Sequence, residues 1–137
     1  MPNPTTECTG GGRGSSACID YDADAQAIAR PWVVRLEDRY GMWFSYRGLV
    51  DYRTDPRTSY RVGYAESSDG LQWERKPDPA GLDRSADGWD SVMLTYTSLL
   101  RVSGKMLCVY NGNGVGRAGF GYAVGEDSGG SQARAVA

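Results

Sequence analysis

The chain of 137 residues has no histidine, three cysteines, two phenylalanines and only two lysines against 13 arginines. Without histidine there is no Ser-His-Asp or Cys-His nucleophile system and no His-ligated zinc site. Cys8, Cys18 and Cys108 are odd in number and too widely spaced for a disulfide framework or a zinc ribbon. Cys108 falls in the apolar run Met106-Leu107-Cys108-Val109 and reads as a small buried hydrophobe. No apolar run approaches the roughly 18 residues of a membrane-spanning helix, and residues 1–20 contain no apolar core of a secretory leader. The expectation is no membrane association and, by default, a cytoplasmic location. A charge excess is missing too: 15 basic residues face 17 acidic ones, for a net charge of -2. That balance excludes a nucleic-acid protein held by phosphate neutralisation. Nothing in the sequence implies a cofactor or a metal.

Glycine and aromatics are abundant. Glycine occurs 19 times, about twice its average usage, and tyrosine and tryptophan together 13 times. Turn formers plus large aromatics point to many short strands. Hydrophobic residues make up 40% of the chain, enough for one globular domain. Residues 1–17 are low in complexity and offer little apolar surface to offset the entropy of ordering. Residues 126–137 read as a polar, flexible tail, which leaves an organised region over about 18–125.

Within that region the Ala-rich stretch 22–29 allows one short helical turn, ended by Pro31. Strand patterns follow at 32–36, 40–46, 60–66 and 71–75, with Asp69-Gly70 as a hairpin turn. A polar loop with Pro56 occupies 48–58. The order then starts again, with strands at 95–102, 106–110 and 118–124. Trp43-Phe44 through Gly48 aligns with Val109-Tyr110 through Gly114, an offset of 66 in the numbering. Gly63-Tyr64-Ala65 aligns with Gly121-Tyr122-Ala123, an offset of 58. The longer 48–60 loop accounts for the difference between the two offsets. A repeat of antiparallel strands at this period reads as propeller blades, here over about 29–76 and 95–125. The plainer alternative is a single meander sheet or a sandwich.

The segments Ala29-Arg30-Pro31-Trp32-Val33, Tyr40-Gly41-Met42-Trp43-Phe44-Ser45-Tyr46-Arg47 and Tyr60 through Ser67-Ser68-Asp69-Gly70-Leu71-Gln72-Trp73 resemble a blade of the glycosidase-like five-bladed β-propellers. That superfamily holds glycoside hydrolase families 32, 43 and 68, the invertases, arabinanases and levansucrases. Gly88-Trp89-Asp90-Ser91 and Tyr110-Asn111-Gly112-Asn113-Gly114 with Gly119-Phe120-Gly121-Tyr122-Ala123 resemble an uncharacterised bacterial branch associated with surface-polysaccharide gene clusters. The resemblance implies an all-β fold of about two antiparallel four-stranded blades, a partial propeller similar to the C-terminal portion of such proteins. It implies an oligosaccharide or polysaccharide as partner, and hydrolysis or transfer of a glycosidic bond when the remaining blades are present. The alternatives are a non-catalytic carbohydrate-binding module and an inactive part that needs other blades.

In that superfamily two carboxylates flank the glycosidic bond. Glu66 ends the third strand where the repeat has Val124, so the blade itself does not need the acid; it faces a central funnel or is a solvated strand end. Asp90 precedes an inner strand and is either a funnel acid or a cap on a backbone turn. For substrate binding the candidates are Arg30 with its repeat partner Tyr96, Arg47 with its partner Asn113, and Asn111, Arg117 and Trp89. Arginine, asparagine and tyrosine supply donors for sugar hydroxyls and anionic groups, and Trp89 a stacking face. Arg30 and Arg47 have a plainer reading as ion-pair partners of a neighbouring acid, and Trp89 one as a residue buried against its loop. The glycines of 111–117 suggest a phosphate loop, but a strand and not a helix follows them. Two blades would also leave apolar faces and edges open, which predicts self-association.

Overall fold

From Tyr40 to Arg47, Met42, Phe44 and Tyr46 point one way and Trp43, Ser45 and Arg47 the other. Both sets carry large apolar groups, so this strand must lie inside its sheet with both faces covered. The computed structural model, which describes residues 17–77 and 82–127, places it there. Strands β1 (Ala27–Arg35), β2 (Tyr40–Arg47), β3 (Arg61–Ser67) and β4 (Glu74–Lys76) form one antiparallel sheet in chain order. Strands β5 (Thr95–Val102), β6 (Lys105–Asn111) and β7 (Phe120–Glu126) form a second. The described residues contain no helix, so none is long and apolar enough to cross a membrane. Apart from residues 17, 126 and 127, the segments expected to be loose lie outside the described residues.

Three expectations need correction. The second sheet has three strands among the described residues, not four. The helical turn at 22–29 is absent: the Asp22 carboxylate accepts the N–H groups of Asp24 and Ala25 and turns the chain, and β1 starts at Ala27. It runs through Pro31 because β1 is an edge strand and because a bulge between Ala29 and Trp32 removes the ladder position that proline cannot fill. Strand β4 begins at Glu74 and not at residue 71, since Ser67 Oγ and the Asp69 carboxylate already hold the N–H groups of Gly70, Leu71 and Gln72.

The pairing repeats between the sheets. Ala29 opposite Ser45 and Trp32 opposite Trp43 match Thr95 opposite Asn111 and Ser98 opposite Val109, all at the offset of 66. Tyr40 opposite Ser67 matches Met106 opposite Gly125, with the third strand at the offset of 58. Even the bulge recurs, between Thr95 and Ser98.

The main core lies between the sheets. Trp43, Val62 and Tyr64 from the first meet Leu99, Met106, Cys108, Tyr110 and Ala123 from the second. A smaller cluster of Met42, Phe44 and Ala65 covers the far face of the first sheet, closed by Ile19, Ile28, Tyr46 and Trp73. Polar ties fix how the sheets meet: Tyr96 N–H donates to Ser45 Oγ (2.9 Å) and Leu94 N–H to the Tyr60 carbonyl (3.1 Å). At the opposite end, the Arg101 guanidinium donates to the Arg35 carbonyl. The strand ends that carry Arg47 and Asn111 therefore lie together, here called the upper end. The ends that carry Arg35, Ser67 and Val102 form the lower one.

Candidate functional site

The two bulges set up the upper end. Arg30 and Tyr96 occupy equivalent bulge positions, and both have left-handed backbone conformations (φ 54° and 59°). Such a conformation costs a residue with a large side chain about 1–3 kcal/mol and persists only where the surroundings impose it. A bulge also breaks the alternation of a strand and re-aims a side chain. Here the re-aimed pair meets: the Arg30 guanidinium lies over the Tyr96 ring, 5.7 Å from its centre.

Arg47, at the end of β2, completes the group. Its guanidinium stacks 3.7 Å from the centre of the Tyr52 ring, donates from Nε to the Tyr60 hydroxyl (3.2 Å) and from Nη1 to the Gly48 carbonyl (2.9 Å). Tyr60 Oη lies 3.4 Å from Tyr96 Oη, and the Tyr60 ring meets both Tyr52 and Tyr96 edge-on. Arg53 approaches the Tyr52 ring at 5.4 Å. The 48–59 loop brings Tyr52 and Arg53 back over the sheet end. Its neck is closed by the Gly48 N–H on the Thr58 carbonyl, and its turn by the N–H groups of Thr54 and Asp55 on the Asp51 carbonyl.

The result is three guanidinium groups and three tyrosines in one place. Burial pulls the Tyr60 hydroxyl up, but its hydrogen bonds with Tyr96 and Arg47 and the charges of Arg47 and Arg53 outweigh that, and its pKa falls below the usual tyrosine value. Tyr96 moves up, through its hydrogen bond with Tyr60 and then through burial. Arg30, Arg47 and Tyr96 are candidates from the sequence. Tyr52, Arg53 and Tyr60 are not, although the loop that carries the first two is the one insertion that distinguishes the first repeat from the second.

The remaining candidates are placed differently. Trp89 is 38% exposed and stacks on Tyr110 (5.3 Å between centres, 20° between planes), so one face is already covered. It lies over Gly112 and Gly121, where a side chain would collide with its ring. Asn113 is a structural brace: Oδ1 accepts the N–H groups of Val92 and Met93, and Nδ2 donates to the Gly88 carbonyl. Asn111 lies against Gly116, and the Arg117 stem packs on Gly114. Asp90 is 4% exposed; Oδ2 accepts the Tyr110 hydroxyl (3.0 Å), while Oδ1 has no hydrogen-bond partner among the described residues. Alanine at Gly121 is expected to cost about 1–3 kcal/mol by overpacking against Trp89. In a Trp89→Ala background that cost should vanish. Urea midpoints of the four proteins read this directly, and strictly additive losses would show that Trp89 does not rest on Gly121.

Glu66 lies at the lower end. It accepts the Tyr64 hydroxyl (3.0 Å) and pairs with Arg39 (3.0 Å) and, more loosely, Lys76 (3.9 Å). Val62 sits beside Ser45 at the upper end, and Glu66 is four residues further along β3, about 13 Å at ~3.3 Å per residue. Asp90 follows Trp89, whose carbonyl accepts the Asn113 N–H (2.8 Å) just beyond the upper end of β6, so the two candidate carboxylates belong to opposite ends of the sheets.

A cleft of about 570 Å³ opens at the β3–β4 edge, lined by Asp22, Asp24, Arg61, Arg75, Lys76 and Asp83 among others. Its charges are largely committed: Arg75 pairs with Asp22 (2.7 Å), and Arg61 donates to the Pro56 carbonyl. Among the described residues no group of three or more Cys, Asp or Glu is placed to hold a metal ion.

No protein-family model matches the chain. Similar curated proteins include Uncharacterized protein Rv1502 of Mycobacterium tuberculosis (strain ATCC 25618 / H37Rv) and Uncharacterized protein MT1551 of strain CDC 1551 / Oshkosh, each 40% identical over 102 residues. The match takes in 74% of this chain and 31% of each relative, so the chain spans about a third of the length of the curated relatives it matches.

Proposed function

We propose that the two sheets are neighbouring blades of a propeller-type, carbohydrate-active protein, and that their upper end binds the carbohydrate. The observation that carries the reading is the convergence of Arg30, Arg47, Tyr60 and Tyr96, two of them delivered by equivalent strained bulges. Strain held at matching positions of two repeats, and aimed at one point, is what a binding surface built between blades requires. The resemblance to glycosidase-like propellers supports carbohydrate as the ligand class. With Glu66 and Asp90 at opposite ends, the role of this chain is to bind and orient the sugar; cleavage or transfer of a glycosidic bond belongs to carboxylates outside it. A glycan array probed with the labelled chain should show at least one bound oligosaccharide, lost in the Arg30→Ala/Arg47→Ala double variant. Incubation with that glycan should release no new reducing ends. An array with no glycan above background ends the reading.

A second observation favours assembly through an open face. In the first sheet Trp43, Val62 and Tyr64 are covered by the second sheet. Their equivalents in the second sheet, Val109, Phe120 and Tyr122, face outwards with Leu100 and Val102, and Phe120 and Tyr122 are 75% and 67% exposed. The matching face of the first sheet is covered by a sheet, which supports another sheet as the cover here. A second copy of the chain is the occupant available in solution. Light scattering should give a mass above the 14.9 kDa monomer that rises with concentration, and Phe120→Ser/Tyr122→Ser should return it to monomer. A monodisperse wild-type monomer at high micromolar concentration overturns this assembly.

A further inference from the structure

Several arginines of the chain are matched to acids. Arg39 pairs with Glu66, Arg57 with Asp55, Arg75 with Asp22 and Arg101 with Asp127. The upper end gathers three that are not. Among the described residues, none of Arg30, Arg47 and Arg53 has a carboxylate within 4.0 Å. Asp55, in the same loop, is taken by Arg57 (2.7 Å). The whole chain carries a net charge of -2, so acids are not scarce.

We infer that the Arg30–Arg47–Arg53 cluster is an oxyanion site, built to take the carboxylate, sulfate or phosphate group of an acidic sugar. The inference rests on the carbohydrate reading for the sugar and on the cluster alone for the anion. Three like charges gathered around the tyrosine rings repel one another, and a bound anion removes that penalty. Arg47 is prepared for the contact. Its stacking on Tyr52 and its bonds to Tyr60 and Gly48 fix the plane of the guanidinium, and Nη2 is left with no partner among the described residues. A fixed guanidinium edge matches two oxygens of an oxyanion. Arg30 and Arg53, both exposed, flank it from β1 and from the loop. Against the pull of burial, the Tyr60 hydroxyl is held below its usual pKa by its hydrogen bonds with Tyr96 and Arg47 and, after these, by the charges of Arg47 and Arg53. The tyrosine hydroxyls then serve the neutral part of the ligand.

Isothermal titration of the full chain tests this with four probes: an oligogalacturonate, a sulfated oligosaccharide, a neutral oligosaccharide of equal length, and inorganic phosphate. The expected result is binding of at least one acidic sugar, at least tenfold tighter than the neutral one and weakening steeply with salt. Arg47→Ala should lower that affinity at least tenfold. Because Arg47 also packs against Tyr52, the exposed residues Arg30 and Arg53 provide independent variants, and each alanine should lower affinity several-fold with an unchanged melting curve. Arg35→Ala, at the lower end, should bind like wild type. Which acidic sugar binds separates a carboxylate from a sulfate ligand. Equal binding of neutral and acidic sugars, indifferent to the three arginines, overturns the oxyanion site and leaves the carbohydrate reading standing. Phosphate binding that depends on the arginines, with no sugar bound, upholds the oxyanion site and overturns the carbohydrate reading. No binding of any probe overturns both.

Discussion

Alanine in place of Phe44 is expected to remove about 3–5 kcal/mol of stability. The ring is fully buried at the centre of the smaller cluster, with Met42 and Ala65 beside it and Ile19, Ile28, Tyr46 and Trp73 closing over it. Its cross-strand neighbour is Gly63, and the ring lies where a side chain at Gly63 would be. An aromatic ring over a glycine shields backbone that the glycine leaves bare, and β-sheets gain stability from such pairs. Removing the ring loses its transfer energy and leaves a cavity that rigid strands on both sides cannot collapse. Domains of this size hold only about 5–15 kcal/mol in total, so the variant should be partly unfolded at 37 °C. Phe44→Leu, which keeps most of the volume, should cost about 1.5 kcal/mol or less. Gly63→Ala should be costly in the wild type and much less so in the Phe44→Ala background, because the added methyl enters the space the ring vacated. Urea melts with unchanged m-values would read all three. A Phe44→Ala loss below about 1 kcal/mol would show that the smaller cluster is not a structural core.

The same pairing shows what the amino-acid sequence makes legible. Two offsets, 66 for the first two strands of each repeat and 58 for the third, are visible as matched residues and reappear as matched registers. They are legible because glycines beside aromatics mark the same cross-strand contacts in both sheets. The start of β1 is not legible. Alanines before a proline suit a helical turn locally, and only the edge position and the bulge, both tertiary, make them a strand.

The site divides along the same line. Arg30 and Tyr96 stand out because alignment of the repeats puts two large polar side chains at one position. Tyr52 and Arg53 lie in a loop without periodicity, and nothing local says that it folds back over Arg47. The structural contacts of Trp89 and Asn113, with two glycines and three backbone groups, are not legible because those partners are distant along the chain. Glu66 can be separated from Arg47 by counting alone. In an antiparallel meander the ends of consecutive strands point to opposite ends of the sheet, and Glu66 lies at the end of β3 while Arg47 closes β2.

High pH should unfold this protein by a route that its main core sets. Burial raises the Cys108 thiol from 9.0 to about 12, and burial followed by the Glu66 carboxylate raises Tyr64 from 10.0 to about 12. Tyr110 also moves up, first through burial and then through its bond to Asp90. All three belong to the cluster between the sheets. Each is neutral when folded and ionises at its ordinary value once unfolded. Between about pH 9 and 12 the unfolded chain therefore sheds protons that the folded chain keeps, and stability must fall as pH rises. The contribution is complete below pH 9 and is lost progressively up to the folded values. At about 1.4 kcal/mol per pH unit, Cys108 alone accounts for about 4 kcal/mol across its window, and the two tyrosines add to it. Tyr60, pushed downwards, opposes the trend, while its hydrogen-bond partner Tyr96, pushed upwards, adds to it. Urea midpoints should hold steady to about pH 9 and then drop, with most of the stability gone by about pH 11.5. Cys108→Ala should be less stable than wild type at about pH 8 yet lose less between about pH 9 and 10, because the first group to ionise is gone. A midpoint that stays flat through about pH 11 would mean that solvent reaches Cys108 and Tyr64, and that the two sheets do not pack as a closed core.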